Sequence, residues 1–132
     1  MVTENLPKVP ENWMGSLPEW LVFEDLNKRG MRNGVEFTYQ SPLMGGRIEK
    51  GGLVVDFIFN DPPDLAINVQ GEYYHQMIGA ATIARDKIAR TQLAGMGITL
   101  IFIDAEDAMK DVKFYVTAAL NYQDLSFLGR GG

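Results

Sequence analysis

Seven consecutive residues, Leu53-Val54-Val55-Asp56-Phe57-Ile58-Phe59, constrain this chain more than any other stretch. A run almost wholly of apolar, β-branched and aromatic side chains suits a strand covered on both faces, so layers of structure are expected above and below it. Asp56 is the only charge inside the run. A carboxylate taken out of water has to be paired, neutralised or bound to a cation. Two kinds of partner are open: backbone or arginine donors near a strand end, or a metal ion.

The elements on either side follow from period and punctuation. Ser16-Leu17-Pro18-Glu19 has the spacing of a capping box and predicts a helix over 17–29, with Leu17, Trp20, Leu21, Glu24 and Leu26 as its stripe and Gly30 as its stop. Val35, Phe37 and Tyr39 alternate with Glu36, Thr38 and Gln40, which predicts a strand over 35–40 and a loop from Pro42 to Gly52. Asn60-Asp61-Pro62-Pro63 reads as a turn, and Leu65 to Gly71 as the next strand of a hairpin. Past His75 the period becomes helical, with Met77, Ala80, Ala81, Ala84, Ile88, Leu93 and Ala94 marking a helix to about Gly95. A buried strand spans Ile98 to Ile103. Asp104 then caps a helix from Ala105 to Leu120 that has Met109, Val112, Val116 and Leu120 on one face. Helix, three strands, helix, strand, helix gives a mixed sheet flanked by helices, an α/β sandwich.

The length of 132 residues suits one domain over 1–132, with 1–15 as an N-terminal extension and 122–132 as a C-terminal tail, mobile at its tip. No apolar run approaches the roughly 20 residues of a membrane span, so no membrane partner is expected. The start of the chain lacks the features of a secretory signal, which makes an intracellular or phage-associated setting the expectation. With no cysteine in the chain, disulfides, thiolate zinc sites and cysteine nucleophiles are excluded. The net charge of -5 opposes a generic nucleic-acid binder, yet clustered carboxylates whose charge a cation offsets are compatible with a nuclease. Basic residues gather at Lys28, Arg29 and Arg32, at Arg47 and Lys50, and at Arg85, Lys87 and Arg90. They are either a substrate-facing surface or scattered solubilising charge.

Candidate chemistry sits on the strand after the central run, where Asn68, Gln70 and Glu72 share one face by the period of two. His75, the only histidine, follows at the end of that strand and is the one side chain whose ordinary pKa suits proton transfer near neutral pH.

Several segments taken together resemble a known family. They are Gly34 to Leu43 (GVEFTYQSPL), Val55-Asp56-Phe57, Leu65 to His75 (LAINVQGEYYH), Arg85-Asp86-Lys87 with Arg90, Leu93, and Gly97-Ile98. In order and spacing they are similar to the very-short-patch mismatch-repair endonucleases of the PD-(D/E)xK superfamily, and to the related DUF559 proteins and EDxHD homing endonucleases, over about residues 17–117. The resemblance implies a restriction-endonuclease-like αβββαβ core and hydrolysis of DNA phosphodiesters, as an endonuclease or nickase, with Mg²⁺ or Mn²⁺ as cofactor. It implies Asp56 as acidic metal ligand and the Val69 carbonyl as a second contact. His75 is then the general base or the group polarising water, Asp86 the residue that orients His75, and Glu19 a group reaching the metal through water.

Two departures bear on activity. Many relatives carry E-x-D or E-x-K where this chain has Asn68-Val69-Gln70, which leaves Gln70 to orient water or phosphate and Glu72 to replace the missing charge. The cysteines of the mismatch-repair enzymes' structural zinc site are also absent. Plainer roles stay open for two residues: an ion pair of Asp86 with Arg90 at i and i+4, and the capping box for Glu19. The alternative to an enzyme is a catalytically inactive nuclease-fold protein serving as a binding or structural component, for example of a phage particle. In that reading Trp13, Phe127 and Leu128 are exposed anchors for an oligomer or assembly partner.

Overall fold

The computed structural model describes residues 8–13, 15–39, 48–50, 53–71 and 80–130. Its elements are α1 (Leu17–Lys28), β1 (Phe37–Tyr39), β2 (Ile48–Lys50), β3 (Leu53–Val55), β4 (Phe57–Phe59), β5 (Leu65–Gln70), α2 (Ala80–Gly95), β6 (Thr99–Asp104) and α3 (Ala105–Leu120).

The central apolar run is not one strand. It breaks at Asp56, so that β3 pairs antiparallel with β2 in a separate hairpin while β4 pairs with β1 and β5. Ile48–Lys50, expected in a loop, supplies the partner of β3. The break has a local cause: the Asp56 N–H donates to Asn68 Oδ1 at 2.7 Å and leaves the regular ladder for that residue. The main sheet runs β1-β4-β5-β6, antiparallel except for the parallel pair β5 and β6, where Leu65 stands opposite Thr99 and Gln70 opposite Asp104. A mixed sheet flanked by helices, with an αβββαβ order, is the architecture expected from the sequence.

Alternation along β5 and β6 builds two cores. Leu65, Ile67, Ile101 and Ile103 meet Val22 and Leu26 of α1 and Ala108, Val116 and Ala119 of α3. On the opposite face Ala66, Leu100 and Phe102 meet Leu93 of α2 and Leu128 of the tail. Phe37, Phe57 and Phe102 are among the largest wholly buried side chains. Each such ring contributes about 2–3 kcal/mol through burial of apolar surface.

Several boundaries and phases differ from expectation. The first strand starts at Phe37, because Val35 sits in a turn with its N–H on the Arg32 carbonyl and is 62% exposed. In α1 the buried positions include Val22, whereas Glu24 turns outward to Lys28 at 3.9 Å. In α2 Ile83, Ala89 and Leu93 face the core and Ile88 is exposed. Helix α3 breaks at Asp111, whose Oδ1 accepts the Phe114 N–H, and Ala108 rather than Met109 packs inward. Asp104 does occupy the N-cap of α3, yet its side chain makes no capping bond and accepts the Phe127 N–H instead, at 2.9 Å.

The C-terminal tail is docked as far as Arg130. Asp124 Oδ2 accepts the Phe102 N–H on the outer side of β6 at 3.0 Å, Asp124 Oδ1 accepts from the Ser126 N–H and hydroxyl, and the Gly129 N–H donates to Ser126 Oγ. Leu128 is buried, and Trp13 packs against Trp20, Phe23 and Tyr39. These residues therefore serve the chain's own core, which corrects their reading as exposed anchors. At the other margin of the sheet, the Tyr39 N–H donates to Asn33 Oδ1 at 3.0 Å, and the Phe37 carbonyl accepts the Gly34 N–H. Among the described residues, no helix is long and apolar enough to cross a membrane.

Candidate functional site

At the C-terminal end of β5 a cleft of about 360 Å³ opens between two helix starts. Val69, Gln70 and Gly71 form its floor, Ser16, Pro18 and Glu19 come from the beginning of α1, and Ala105 from the beginning of α3.

Half of the expected capping box is made, since Ser16 Oγ accepts the Glu19 N–H at 3.3 Å. The reciprocal half is not: the Glu19 carboxylate accepts the Tyr39 hydroxyl instead of the Ser16 N–H. Glu19 is only 8% exposed, and among the described residues it has no cationic partner. Tyr39 is held in turn by Trp13, stacked on it at 4.8 Å between centroids and 18° between planes, and the Trp13 indole N–H donates to the Ser16 carbonyl.

Asp56 lies at the bend between β3 and β4 and is 3% exposed. Its Oδ2 accepts the Val69 N–H at 2.9 Å, so a backbone donor does partner this buried carboxylate, one of the two kinds foreseen. In an extended strand the N–H and C=O of one residue point to the same side. The Val69 carbonyl accordingly faces the side of β5 on which Asp56 stands. Gln70, on the opposite phase of β5, reaches α2, where its Nε2 donates to Asp86 Oδ2 at 3.3 Å. Among the described residues Asp86 makes no ion pair with Arg90, so the i and i+4 pairing is not what occupies it.

Glu19, Asp56, Val69, Gln70 and Asp86, drawn from four separate elements or bends, thus gather around one strand end. Glu72 and His75 lie outside the described residues. Of the basic groups, Arg29 is committed to Asp25, the Lys113 carbonyl and Thr117, and Arg32 to the Asn27 and Met31 carbonyls. Arg85 and Lys87 remain exposed beside Asp86. Sequence reasoning missed Tyr39 as a site residue, because strand alternation accounts for it and its partner is 20 positions away. Gly15 was missed as well: a Cβ there would overlap Tyr39 Oη and stand 2.7 Å from Glu19 Oε1.

Among the described residues no three His, Asp or Glu side chains stand close enough to hold an ion by themselves. The donors at the strand end are all oxygens, from carboxylates, an amide and a backbone carbonyl. That set fits a hard, largely hydrated cation such as Mg²⁺ or Mn²⁺, which needs few protein ligands, and does not suit a soft metal. Scans against protein-family models, curated proteins and solved structures each return no significant match.

Proposed function

We propose that the chain is a Mg²⁺-dependent DNA endonuclease or nickase of the PD-(D/E)xK type. The reading rests above all on the gathering of Asp56, Val69, Gln70, Glu19 and Asp86 at one end of β5, next to a cleft. Asp56 and the Val69 carbonyl would hold the cation, Glu19 would orient its water shell, and Glu72 would add charge. When bound, Mg²⁺ polarises the phosphodiester and stabilises the leaving oxygen. Gln70, braced by Asp86, hydrogen-bonds water or a phosphate oxygen. His75 would take the proton of the attacking water, and Asp86 would orient the imidazole.

Incubation of supercoiled plasmid with the protein and Mg²⁺ tests the assignment. Nicking is expected, and its loss in Asp56→Ala and in His75→Ala. Activity unchanged in both variants removes the proposal.

One observation favours a non-catalytic component built on the same fold. The amides that replace acidic residues on β5 are both used internally, Asn68 on the Asp56 N–H and Gln70 on Asp86, as in a site knitted for stability. Calorimetry with Mg²⁺ or Mn²⁺ separates the two, since a scaffold or assembly partner has no need of either ion.

A further inference from the structure

Glu19 presents an unusual combination. It is a carboxylate more than nine-tenths buried, on the wall of a cleft, without a cationic partner among the described residues. It stands three residues after the N-cap, where its side chain could close the capping box, yet it bonds Tyr39 across the fold. Such burial is costly unless donors or a cation offset the charge. A neutral phenol is a modest donor for this purpose, so the arrangement is better suited to holding the carboxylate in place than to neutralising it.

The surroundings of Tyr39 are built for that task. Trp13 stacks on one face of its ring, and Phe23 and Phe57 approach at 5.9 and 4.9 Å between centroids, which leaves the ring little freedom. Gly15 lies against the Tyr39–Glu19 bond, where any side chain would intrude. Three separate features, the stacked tryptophan, the glycine and the diverted cap, therefore serve one hydrogen bond.

We infer that Tyr39 is a positioning residue of the cleft: its hydroxyl, fixed by Trp13 and admitted by Gly15, holds the Glu19 carboxylate where the water shell of a divalent cation meets it. The inference rests on the cation reading proposed above but does not require that DNA be cut. Partners that orient the groups around a metal commonly change affinity 10- to 100-fold when removed.

The test is Mn²⁺ titration calorimetry on the full chain, paired with ¹⁹F NMR of protein labelled with 3-fluorotyrosine, in which the Tyr39 signal is the one absent from Tyr39→Phe. Tyr39→Phe is expected to weaken Mn²⁺ binding about tenfold, and to change nothing further when added to Glu19→Gln. Gly15→Ala, which displaces the pair while keeping the identity of both residues, is expected to weaken binding in the same way. Mg²⁺ should move the Tyr39 fluorine signal in the parent protein and leave it still in Glu19→Gln. Undiminished affinity in Tyr39→Phe, or an equal loss with and without Glu19, overturns the inference. A parent protein that takes up neither ion overturns the inference and the nuclease reading together. Uptake without nicking overturns only the latter.

Discussion

Asp56 illustrates how one residue can carry two roles that a single substitution confounds. Its carboxylate bonds the Val69 N–H inside the fold and is also the proposed cation ligand. Asp56→Ala leaves that N–H without its acceptor and is expected to destabilise the protein by about 1–3 kcal/mol. Asp56→Asn keeps an oxygen in reach and is expected to stay within about 1 kcal/mol of the parent while losing Mg²⁺ binding. Urea unfolding of both variants checks the pair, and equal stability losses would contradict the distinction. At this scale legibility was uneven. Asp56 stood out because a lone charge in an apolar run has to be explained. Glu19 entered only through the resemblance, because a local capping motif accounts for it by itself, and Tyr39 was hidden by an alternation that accounts for every second residue of a strand without regard to its hydroxyl. Nothing in a linear pattern records that residues 19 and 39 meet, because helix α1 and strand β1 are brought together only by tertiary packing.

At the level of elements, the three helices and the four strands of the main sheet were readable in order, while the β2–β3 hairpin was not and the inward faces were less so. Helix α2 shows why. Its core-facing positions include Ile83, Ala89 and Leu93, and the same side also carries Asp86, so a polar residue bonded to Gln70 interrupts the apolar stripe and shifts the apparent phase toward Ile88. The division of the central run had a similar origin: β3 and β4 look continuous in composition, and the bonds of Asp56 to β5 fall where they divide. In the tail it was the exposure of Leu128 that was misread, since composition does not record that Asp124 and Ser126 secure the segment and turn this residue into the second core. Leu128 fills the second core at 2% exposure. Leu128→Ala is expected to cost about 2–5 kcal/mol, the range for removing a buried leucine side chain. Thermal unfolding that scarcely changes in this variant would show that the docked tail adds little to the fold.

For the whole molecule, the sequence supported a mixed sheet between helices, and of the residues it singled out Asp56 bonds Val69, Gln70 bonds Asp86, and Glu19 lines the cleft beside Val69 and Gln70. A ligand that binds only the folded protein stabilises it in proportion to the logarithm of its concentration, by about 2.7 kcal/mol at a hundred times its Kd. Mg²⁺ is therefore expected to raise the melting temperature of the parent protein, with the rise reversed by chelator and absent in Asp56→Asn. The two margins of the sheet point to a further consequence. On one side Asn33 and Gly34 take up the outward groups of β1, and on the other Asp124 takes up that of Phe102. An extended peptide seeking to add itself as another strand would first have to displace the chain's own loop or tail. At these two places of the four-stranded sheet, among the described residues, a partner would meet the chain's own loop or tail in place of open backbone.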